Sequence, residues 1–380
     1  MKKQAILLGK AGLQFIYSIE KLAKPKDKVV FLSRQSNEIS EDFRMVQERL
    51  KEKRPGVEIV TFCNRLVGEG SESLKSFAFD TLKSMREMAN AKAVVLDSYW
   101  PAASMLHHRK ELRVVQMWHA MGKIKQSGYQ TLGKESGRNR ETAKLMDMHK
   151  NYDYIIAGGP AWNPYYCASF GTTEDKLKNY GLPRIDRLLN TADEKKKLVV
   201  DKYPELKGKK IILYAPTFRR NIELNWESLI EQVLTKLDKD YVLVVKAHPN
   251  QKLELPEGIP TGRVMLCPEL KTEDFLSSAE YLITDYSATA VEGAVLNTKT
   301  LYFVYDYEEY REKNGMNIDL FEEMPGCVFR ESAELVEIIA RGTYNQGSLD
   351  NYRQKFLPEE LGTSTEKIVD LIIGVLDGRI

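Results

Sequence analysis

Short apolar runs rich in β-branched residues alternate with longer amphipathic runs along most of the 380-residue chain. The short runs are typical of buried parallel strands, and apolar residues at helical spacing are typical of packed helices. The predicted strands lie at 29–33, 58–62, 93–97, 114–118 and 154–157, and, after a charged stretch at 191–210, at 211–215, 242–246, 264–266, 281–284 and 301–304. The predicted helices lie at 41–53, 72–90, 226–237, 273–278, 288–296, 332–339 and 365–376.

Two successive sets of alternating strands and helices predict two domains. The alternation is the pattern of parallel sheets with helices on both faces, and a chain of this length exceeds the usual size of one hydrophobic core. We expect an α/β fold with two Rossmann-like domains, at residues 29–190 and 191–380, that face each other across a cleft. The last predicted helix could return to the first domain.

Composition narrows the class of protein. Charged residues make up 29% of the chain with a net charge of +2, which argues against a general nucleic-acid binder. The four cysteines are widely separated, so their spacing predicts neither a zinc site nor a disulfide framework. No run of residues approaches the length of about 20 apolar residues that spans a bilayer.

Residues 1–28 carry seven lysines and two acidic residues, and their apolar residues recur at helical spacing. Such a basic amphipathic helix can lie on an anionic membrane surface. Alternatively, it packs on the protein's own core with its lysines in solvent. A lipid-linked substrate would favour the first interpretation.

Two histidines follow predicted strands, one in each half of the chain. His119 ends the run that begins at Arg113, and His248 follows Lys246 after the strand at 242–246. Ligands of open α/β sheets bind beyond the carboxyl ends of the strands, and a histidine there can act as a general base. The alternative is a structural role in each loop.

Residues 122–140 follow His119 and interleave five cationic residues with glycines. This composition predicts a long mobile basic loop, a length that is uncommon unless the loop is functional. Gly122 and Lys123 begin it. Its lysines could receive an anionic substrate.

Three further segments follow strands of the second half. The segment at 284–289 contains Thr284, Asp285, Ser287 and Thr289, and it combines a predicted helix N-cap with hydroxyl donors. Thr217 and Arg219 follow the strand at 211–215, and Arg311 follows the strand at 301–304. Each segment could bind phosphate, and each could also be an ordinary loop or capped helix.

Several common motifs are missing from the sequence: the dinucleotide-binding glycine pattern, the P-loop, the zinc-protease pair of histidines and the hydrolase nucleophile elbow. Anion-binding features without a P-loop favour a nucleotide-diphosphate donor.

Taken in order, these segments resemble the CDP-glycerol glycerophosphotransferase family of teichoic acid synthesis. The resemblance covers roughly residues 90–330 and rests on Trp118-His119-Ala120 with Gly122, Gly181-Leu182-Pro183-Arg184-Ile185-Asp186, Ala215-Pro216-Thr217-Phe218-Arg219, Lys246-Ala247-His248-Pro249, Thr284-Asp285-Tyr286-Ser287 and Asp306-Tyr307-Glu308-Glu309-Tyr310-Arg311. It implies a GT-B fold and an enzyme that moves glycerol phosphate from CDP-glycerol to a hydroxyl of an undecaprenyl-diphosphate-linked disaccharide precursor, releasing CMP.

The resemblance also implies where the enzyme acts and what it needs. Members of the family are peripheral proteins on the cytoplasmic face of the bacterial membrane, and we expect no cofactor, no metal and no nucleic acid partner, with a homo-oligomer left open. We assign His119 as general base and His248 to the donor pyrophosphate. The expected substrate-binding residues are Gly122, Lys123, Thr217, Arg219, Lys246, Thr284, Asp285, Ser287, Ala288, Thr289, Glu292 and Arg311.

The chain departs from the family pattern at two places. Ala120 stands where the family often has glycine, and Ala288 stands where it often has a second serine, which removes one phosphate donor. The chain also lacks the N-terminal region of the long polymerases, which favours a primase or short-chain transferase. The alternatives are a CDP-ribitol transferase, a glycosyltransferase that uses a nucleotide sugar, and a non-catalytic nucleotide-binding protein.

Overall fold

The structure is a computed structural model that describes residues 2–65, 71–134, 137–217, 226–246, 254–260 and 262–380. Its strands are β1 (Lys28–Ser33), β2 (Glu58–Cys63), β3 (Ala93–Leu96), β4 (Arg113–Gln116), β5 (Tyr154–Ile156), β6 (Leu177–Lys178), β7 (Lys210–Tyr214), β8 (Tyr241–Val245), β9 (Val264–Met265), β10 (Ala279–Thr284), β11 (Lys299–Phe303) and β12 (Val328–Phe329).

The helices of the described residues are α1 (Lys2–Glu20), α2 (Glu41–Lys53), α3 (Ser71–Ala89), α4 (Pro101–Met105), α5 (Arg140–Leu145), α6 (Asn163–Phe170), α7 (Arg184–Asn190), α8 (Ala192–Lys202), α9 (Trp226–Lys236), α10 (Thr272–Phe275), α11 (Thr289–Val295), α12 (Tyr307–Asn314), α13 (Leu320–Glu323), α14 (Ser332–Arg341), α15 (Gln346–Phe356) and α16 (Ser364–Leu376). No helix of the described residues is long and apolar enough to cross a membrane.

The chain forms two compact units. Unit 1 contains residues 1–120, 127–186 and 363–380, and unit 2 contains residues 121–126 and 187–362. The predicted division was at residue 190, whereas the structure divides the main chain after Asp186 and gives α16 to unit 1. It also gives the short segment 121–126 to unit 2, which the pattern of strands and helices did not indicate.

Each unit contains one parallel sheet. In unit 1 the strand order is β2-β1-β3-β4-β5-β6. The chain adds β2 on one side of β1 and then adds β3 and the later strands on its other side, so a reversal point lies between β1 and β3. In unit 2 the order is β12-β11-β10-β7-β8-β9, with the reversal between β7 and β10. The central strands are buried along almost their whole length, which explains their continuous apolar runs. The reversal points are where open α/β sheets leave room for a ligand.

The motif Gly181-Leu182-Pro183-Arg184-Ile185-Asp186 ties unit 1 together. Arg184 donates from its backbone N and from Nε to the buried carboxylate of Asp42 in α2, at 2.8 and 2.9 Å. Asp186 accepts the backbone N–H groups of Ser364 and Thr365, at 3.0 and 2.7 Å, and so caps the start of α16. This motif therefore holds α2 and α16 in place, and its polar groups serve the fold.

One interpretation of the sequence was wrong. The charged stretch 191–210, for which no element was predicted, contains α8. Residues 122–140 were expected to be a mobile loop, but their described part contains the 3-10 helix Gly128–Thr131 and packs closely. A side chain on Gly128 would meet the carbonyl oxygen of Ser169 at 2.1 Å, so glycine is required there.

Candidate functional site

In unit 1, His119 lies just beyond the carboxyl end of β4, where the backbone turns sharply. Trp118 has a left-handed backbone with φ of 63°, which is uncommon for a bulky residue. The side chain of Gln116 supports this turn, because its Oε1 accepts the backbone N–H of Trp118 at 2.8 Å. The ring of Trp118 lies against the His119 imidazole with centroids 4.2 Å apart. The turn and the ring contact together hold the imidazole at the sheet edge.

The imidazole of His119 makes a hydrogen bond that defines its tautomer. Its Nδ1 lies 3.0 Å from the backbone carbonyl oxygen of Asp97. Because a carbonyl only accepts, Nδ1 carries the proton, and in the neutral ring the lone pair lies on Nε2. This is the form in which a histidine can take a proton from a hydroxyl group.

Asp97 is a site residue that the sequence interpretation missed. It ends the β3 run beside the reversal point of unit 1 and is 3% exposed. Burial raises the pKa of its carboxyl group to about 6, although hydrogen bonds from the Ser33 and Ser98 hydroxyls lower it. The sequence did offer one signal for it. Asp97 is a polar residue at the end of a buried strand, and that strand is the neighbour of the one that precedes His119.

In unit 2, Thr217 and Asp285 lie together at the reversal point between β7 and β10. The backbone N–H of Thr217 donates to both carboxylate oxygens of Asp285, at 2.9 and 3.0 Å, and its hydroxyl donates to one of them at 2.6 Å. The same oxygen accepts the N–H of Tyr286 at 2.6 Å. Asp285 is 1% exposed, so its carboxylate joins the two loops and is surrounded by protein donors.

Two predicted substrate-binding residues hold the fold. Thr284 is fully buried, and its hydroxyl donates to the carbonyl of Ala215 at 2.7 Å. The Lys246 ammonium donates to the carbonyls of Cys267 and Leu270, at 2.7 and 2.6 Å, and burial lowers its pKa. In the structure both side chains tie strand ends to neighbouring backbone, and their role in substrate binding stays a prediction.

The start of α11 differs from the predicted capping. Asp285 or Ser287 was expected to be the N-cap, but the helix starts at Thr289 with Ala288 as the N-cap residue. Ser287 accepts the backbone N–H of Thr289 at 3.3 Å and donates to its hydroxyl at 3.0 Å. Glu292, half-buried, stands in the first turn. The hydroxyl groups of Ser287 and Thr289 thus lie together at the helix start.

The segment 121–126 runs beside residues 315–317 within unit 2. Asn317 fixes it, because its side chain donates to the carbonyls of Lys123 and Lys125, at 2.8 and 3.2 Å. Gly122 has φ of 76°, a conformation that favours glycine. Lys123 is 3% exposed, and burial lowers the pKa of its ammonium well below the usual range.

Lys125 is the cation that this segment brings to the reversal point. Its Nζ lies 3.5 Å from the Thr217 hydroxyl and 5.8 Å from the centre of the Tyr310 ring. Tyr310 in turn stacks on Tyr286 with centroids 3.8 Å apart. The sequence interpretation chose Lys123, and the buried position of that residue could be known only from the fold. Arg311, one residue further along α12, is exposed.

Two of the predicted site residues, Arg219 and His248, lie outside the described residues. Their predicted roles therefore remain predictions. Among the residues that the structure describes, no group of three or more histidine, cysteine, aspartate or glutamate side chains is arranged to hold a metal ion.

The fold and these strand-end residues define a class of protein, the two-domain α/β proteins of the GT-B type. Solved structures support this assignment at the level of the fold. The wall teichoic acid polymerase TagF matches with a TM-score of 0.75 and 18% identity over 100% of this chain and 98% of that one. The Staphylococcus aureus MnaA–UDP structure matches with a TM-score of 0.61 and 15% identity over 92% and 97% of the two chains.

Residues 14–374 match the model of the family described as CDP-Glycerol:Poly(glycerophosphate) glycerophosphotransferase, and the chain belongs to that family. It is 28% identical to the teichoic acid ribitol-phosphate primase of Bacillus spizizenii over 92% of both chains. It is also 28% identical to the teichoic acid glycerol-phosphate primase of Bacillus subtilis, over 77% of this chain and 76% of that one. The expected family and fold class are confirmed.

The raised pKa of Asp97 gives a prediction about stability. Its carboxyl group has a pKa of about 6 in the folded chain and 3.8 as the reference value, so the folded state holds its proton more tightly. The contribution of this group to the free energy of unfolding is therefore greatest below pH 3.8, and it falls as the pH rises towards about 6. Asp97→Asn keeps an acceptor for Ser98, and we expect it to be more stable than the wild type at pH 7.5, by at most roughly 3 kcal/mol.

Urea unfolding at pH 7.5 and pH 4 measures this difference. The stabilisation by Asp97→Asn should shrink at pH 4, where the wild-type carboxyl group is largely protonated. Asp201→Asn, at an exposed position, is the matched control and should change neither curve. Equal stability of Asp97→Asn and wild type at pH 7.5 would contradict the prediction.

Proposed function

We propose that this protein transfers glycerol phosphate from CDP-glycerol to a hydroxyl group of a lipid-linked teichoic acid precursor and releases CMP, as a primase or short-chain transferase. The observation that carries the proposal is the hydrogen bond between His119 Nδ1 and the Asp97 carbonyl. It places the lone pair of the neutral ring on Nε2, at the edge of unit 1 where the parallel strands end. Membership of the family supports the donor class.

In the proposed reaction the acceptor hydroxyl oxygen attacks the β-phosphorus of the donor. His119 Nε2 takes the hydroxyl proton as the new P–O bond forms. The bond from the β-phosphorus to the oxygen bridging it to CMP breaks, and CMP leaves with that oxygen. Such transfers depend mainly on positioning and on stabilisation of phosphate charge.

We assign acceptor binding to unit 1 and donor binding to unit 2. In unit 2, Lys125 with Thr217 supplies a cation and a hydroxyl at the reversal point. Ser287 and Thr289 add hydroxyl groups at the start of α11. His248 and Arg219 keep their proposed roles at the donor pyrophosphate, and Arg311 is a further cation for the donor.

A donor screen tests this function. Purified protein with a lipid-linked acceptor is mixed with CDP-glycerol, CDP-ribitol or UDP-sugars, and released nucleotide is measured. We expect CMP release that requires both the acceptor and CDP-glycerol. Release of UDP from a UDP-sugar would identify a glycosyltransferase instead, and binding of nucleotide with no release would identify a non-catalytic protein.

Ribitol phosphate is the second candidate for the transferred group. The ribitol-phosphate primase of B. spizizenii and the glycerol-phosphate primase of B. subtilis are each 28% identical to this chain. CMP release that is faster with CDP-ribitol than with CDP-glycerol would select this alternative.

The assigned base gives a direct prediction. His119→Ala should lower the rate of CMP release about 10²–10⁴-fold, because proton removal from the acceptor is no longer assisted. Binding of CDP-glycerol, measured by calorimetry, should stay within about twofold of wild type, since the substitution lies in unit 1. His107→Ala, at an exposed histidine, is the control. Transfer at the wild-type rate by His119→Ala would disprove the assignment.

The outward face of α1 supports peripheral membrane association. Leu8 and Phe15 of α1, and Leu22 in the turn that follows it, are 74%, 69% and 83% exposed. The opposite face packs on unit 1, where the hydroxyl of Tyr17 is hydrogen bonded to His108 Nδ1 at 2.8 Å. Large exposed apolar side chains next to lysines are typical of helices at a membrane surface. We therefore propose that α1 binds the cytoplasmic face of an anionic membrane.

Liposome flotation tests this surface without removing the packed face of α1. The triple variant Leu8→Ser, Phe15→Ser and Leu22→Ser should float with anionic vesicles at least about tenfold less than wild type, because burial of apolar area in the membrane is lost. Ile39→Ser, at an exposed apolar residue of unit 1 outside α1, is the control. Equal flotation of the triple variant and wild type would reject the membrane-binding role of α1.

A further inference from the structure

We propose that unit 1 contains a second anion site, a pocket that binds the diphosphate group of the lipid-linked acceptor. This inference rests on the proposed function for the identity of the ligand. The pocket has a volume of about 290 Å³ and is lined by residues of α5, the turn that follows it and the end of α6. It is separate from the edge at which His119 stands.

The charge of the pocket suits an anion. Arg140, Lys144 and Lys150 contribute three cations to its wall, and Asp147 contributes one carboxylate. That carboxylate is paired with Lys10 of α1, and Lys150 Nζ also lies 3.9 Å from it. Lys10 alone balances the single charge of Asp147, so Arg140, Lys144 and Lys150 leave the pocket wall with a net positive charge that can act on a phosphate group.

The backbone that lines the pocket has an unusual conformation. Asp147, His149 and Asn151 all have left-handed backbones, with φ of 43°, 63° and 71°. The side-chain amide of Asn151 fixes the turn by donating to three backbone carbonyls of the 103–106 segment, at 2.9 to 3.3 Å. Residues held in such conformations cluster at ligand-binding sites, where the surrounding structure must enforce them. Here the enforced turn supplies Asp147, His149 and Lys150 to the pocket wall, next to Arg140 and Lys144 of α5.

The pocket lies between the exposed helix and the proposed base. On one side, the ion pair of Lys10 with Asp147 joins it to α1. On the other side, Phe170 packs against His149 of the pocket wall, with centroids 4.9 Å apart. Phe170 also packs against Trp118 at 5.2 Å, and Trp118 lies against His119.

This order of elements matches the order of groups in a lipid-linked acceptor. A polyprenyl chain would leave the pocket towards the apolar face of α1, and the sugar hydroxyl would extend towards His119. The diphosphate lies between these two parts of the molecule, as the pocket lies between α1 and His119. A phospholipid headgroup offers similar phosphate chemistry, so the test has to separate the two sources.

Binding to the full-length chain tests the pocket directly. Inorganic pyrophosphate and geranyl diphosphate, a short soluble polyprenyl diphosphate, are titrated into the protein in a calorimeter. Lys144→Gln and Lys150→Gln should each weaken binding of geranyl diphosphate roughly tenfold, since each removes a charged contact to phosphate. Lys51→Gln, at an exposed lysine of α2, is the control, and binding of CDP-glycerol should be unchanged in every variant.

Binding of a phospholipid is measured in the same way, with short-chain phosphatidylglycerol below its critical micelle concentration. Binding that is as tight as that of geranyl diphosphate, and equally sensitive to Lys144→Gln, would overturn the assignment to the acceptor. Binding of geranyl diphosphate that neither substitution weakens would overturn the pocket itself. If wild-type protein released no CMP in the donor screen, the proposed function would fail while these titrations still decided whether the pocket binds diphosphate.

Discussion

Parallel pairing makes every strand of a sheet end at the same edge, and both sites of this protein depend on that constraint. In each unit the strand order reverses beside a central strand, so the loops diverge there and leave space. His119 and Asp97 stand at this edge in unit 1, and Thr217 and Asp285 stand at it in unit 2. Residues far apart in the sequence become neighbours because their strands are neighbours.

Many of the buried polar side chains of this protein hold nearby backbone in place. The carboxylate of Asp285 binds three donors of its own chain, and Asp42 and Asp186 hold α2 and α16 in unit 1. A buried carboxylate is stable only with such donors around it. The segments that mark the family therefore include residues that shape the loops as well as residues placed to meet a substrate.

The sequence was sufficient for the central strands and for the helices with clear apolar periodicity. The helix α2 was predicted at its observed bounds, and the ten predicted strands correspond to observed ones within two residues. The two-residue strands β6 and β12 at the sheet edges were missed, whereas the equally short β9 was predicted, because a pair of residues carries too little alternation to detect consistently. The roles of Thr284 and Lys246 also could not be predicted. Whether a polar side chain at a strand end faces the ligand or the neighbouring backbone depends on the register between strands, which one strand's sequence does not reveal.

The division of the chain between the units has a consequence for protein engineering. Unit 1 is completed by α16 from the far end of the chain, and unit 2 is completed by residues 121–126 from within the first half. A cut near residue 186 would give two fragments, each lacking a piece carried by the other. Independent expression of one half would therefore require a circular permutation or a grafted segment, because the chain passes between the two units more than once.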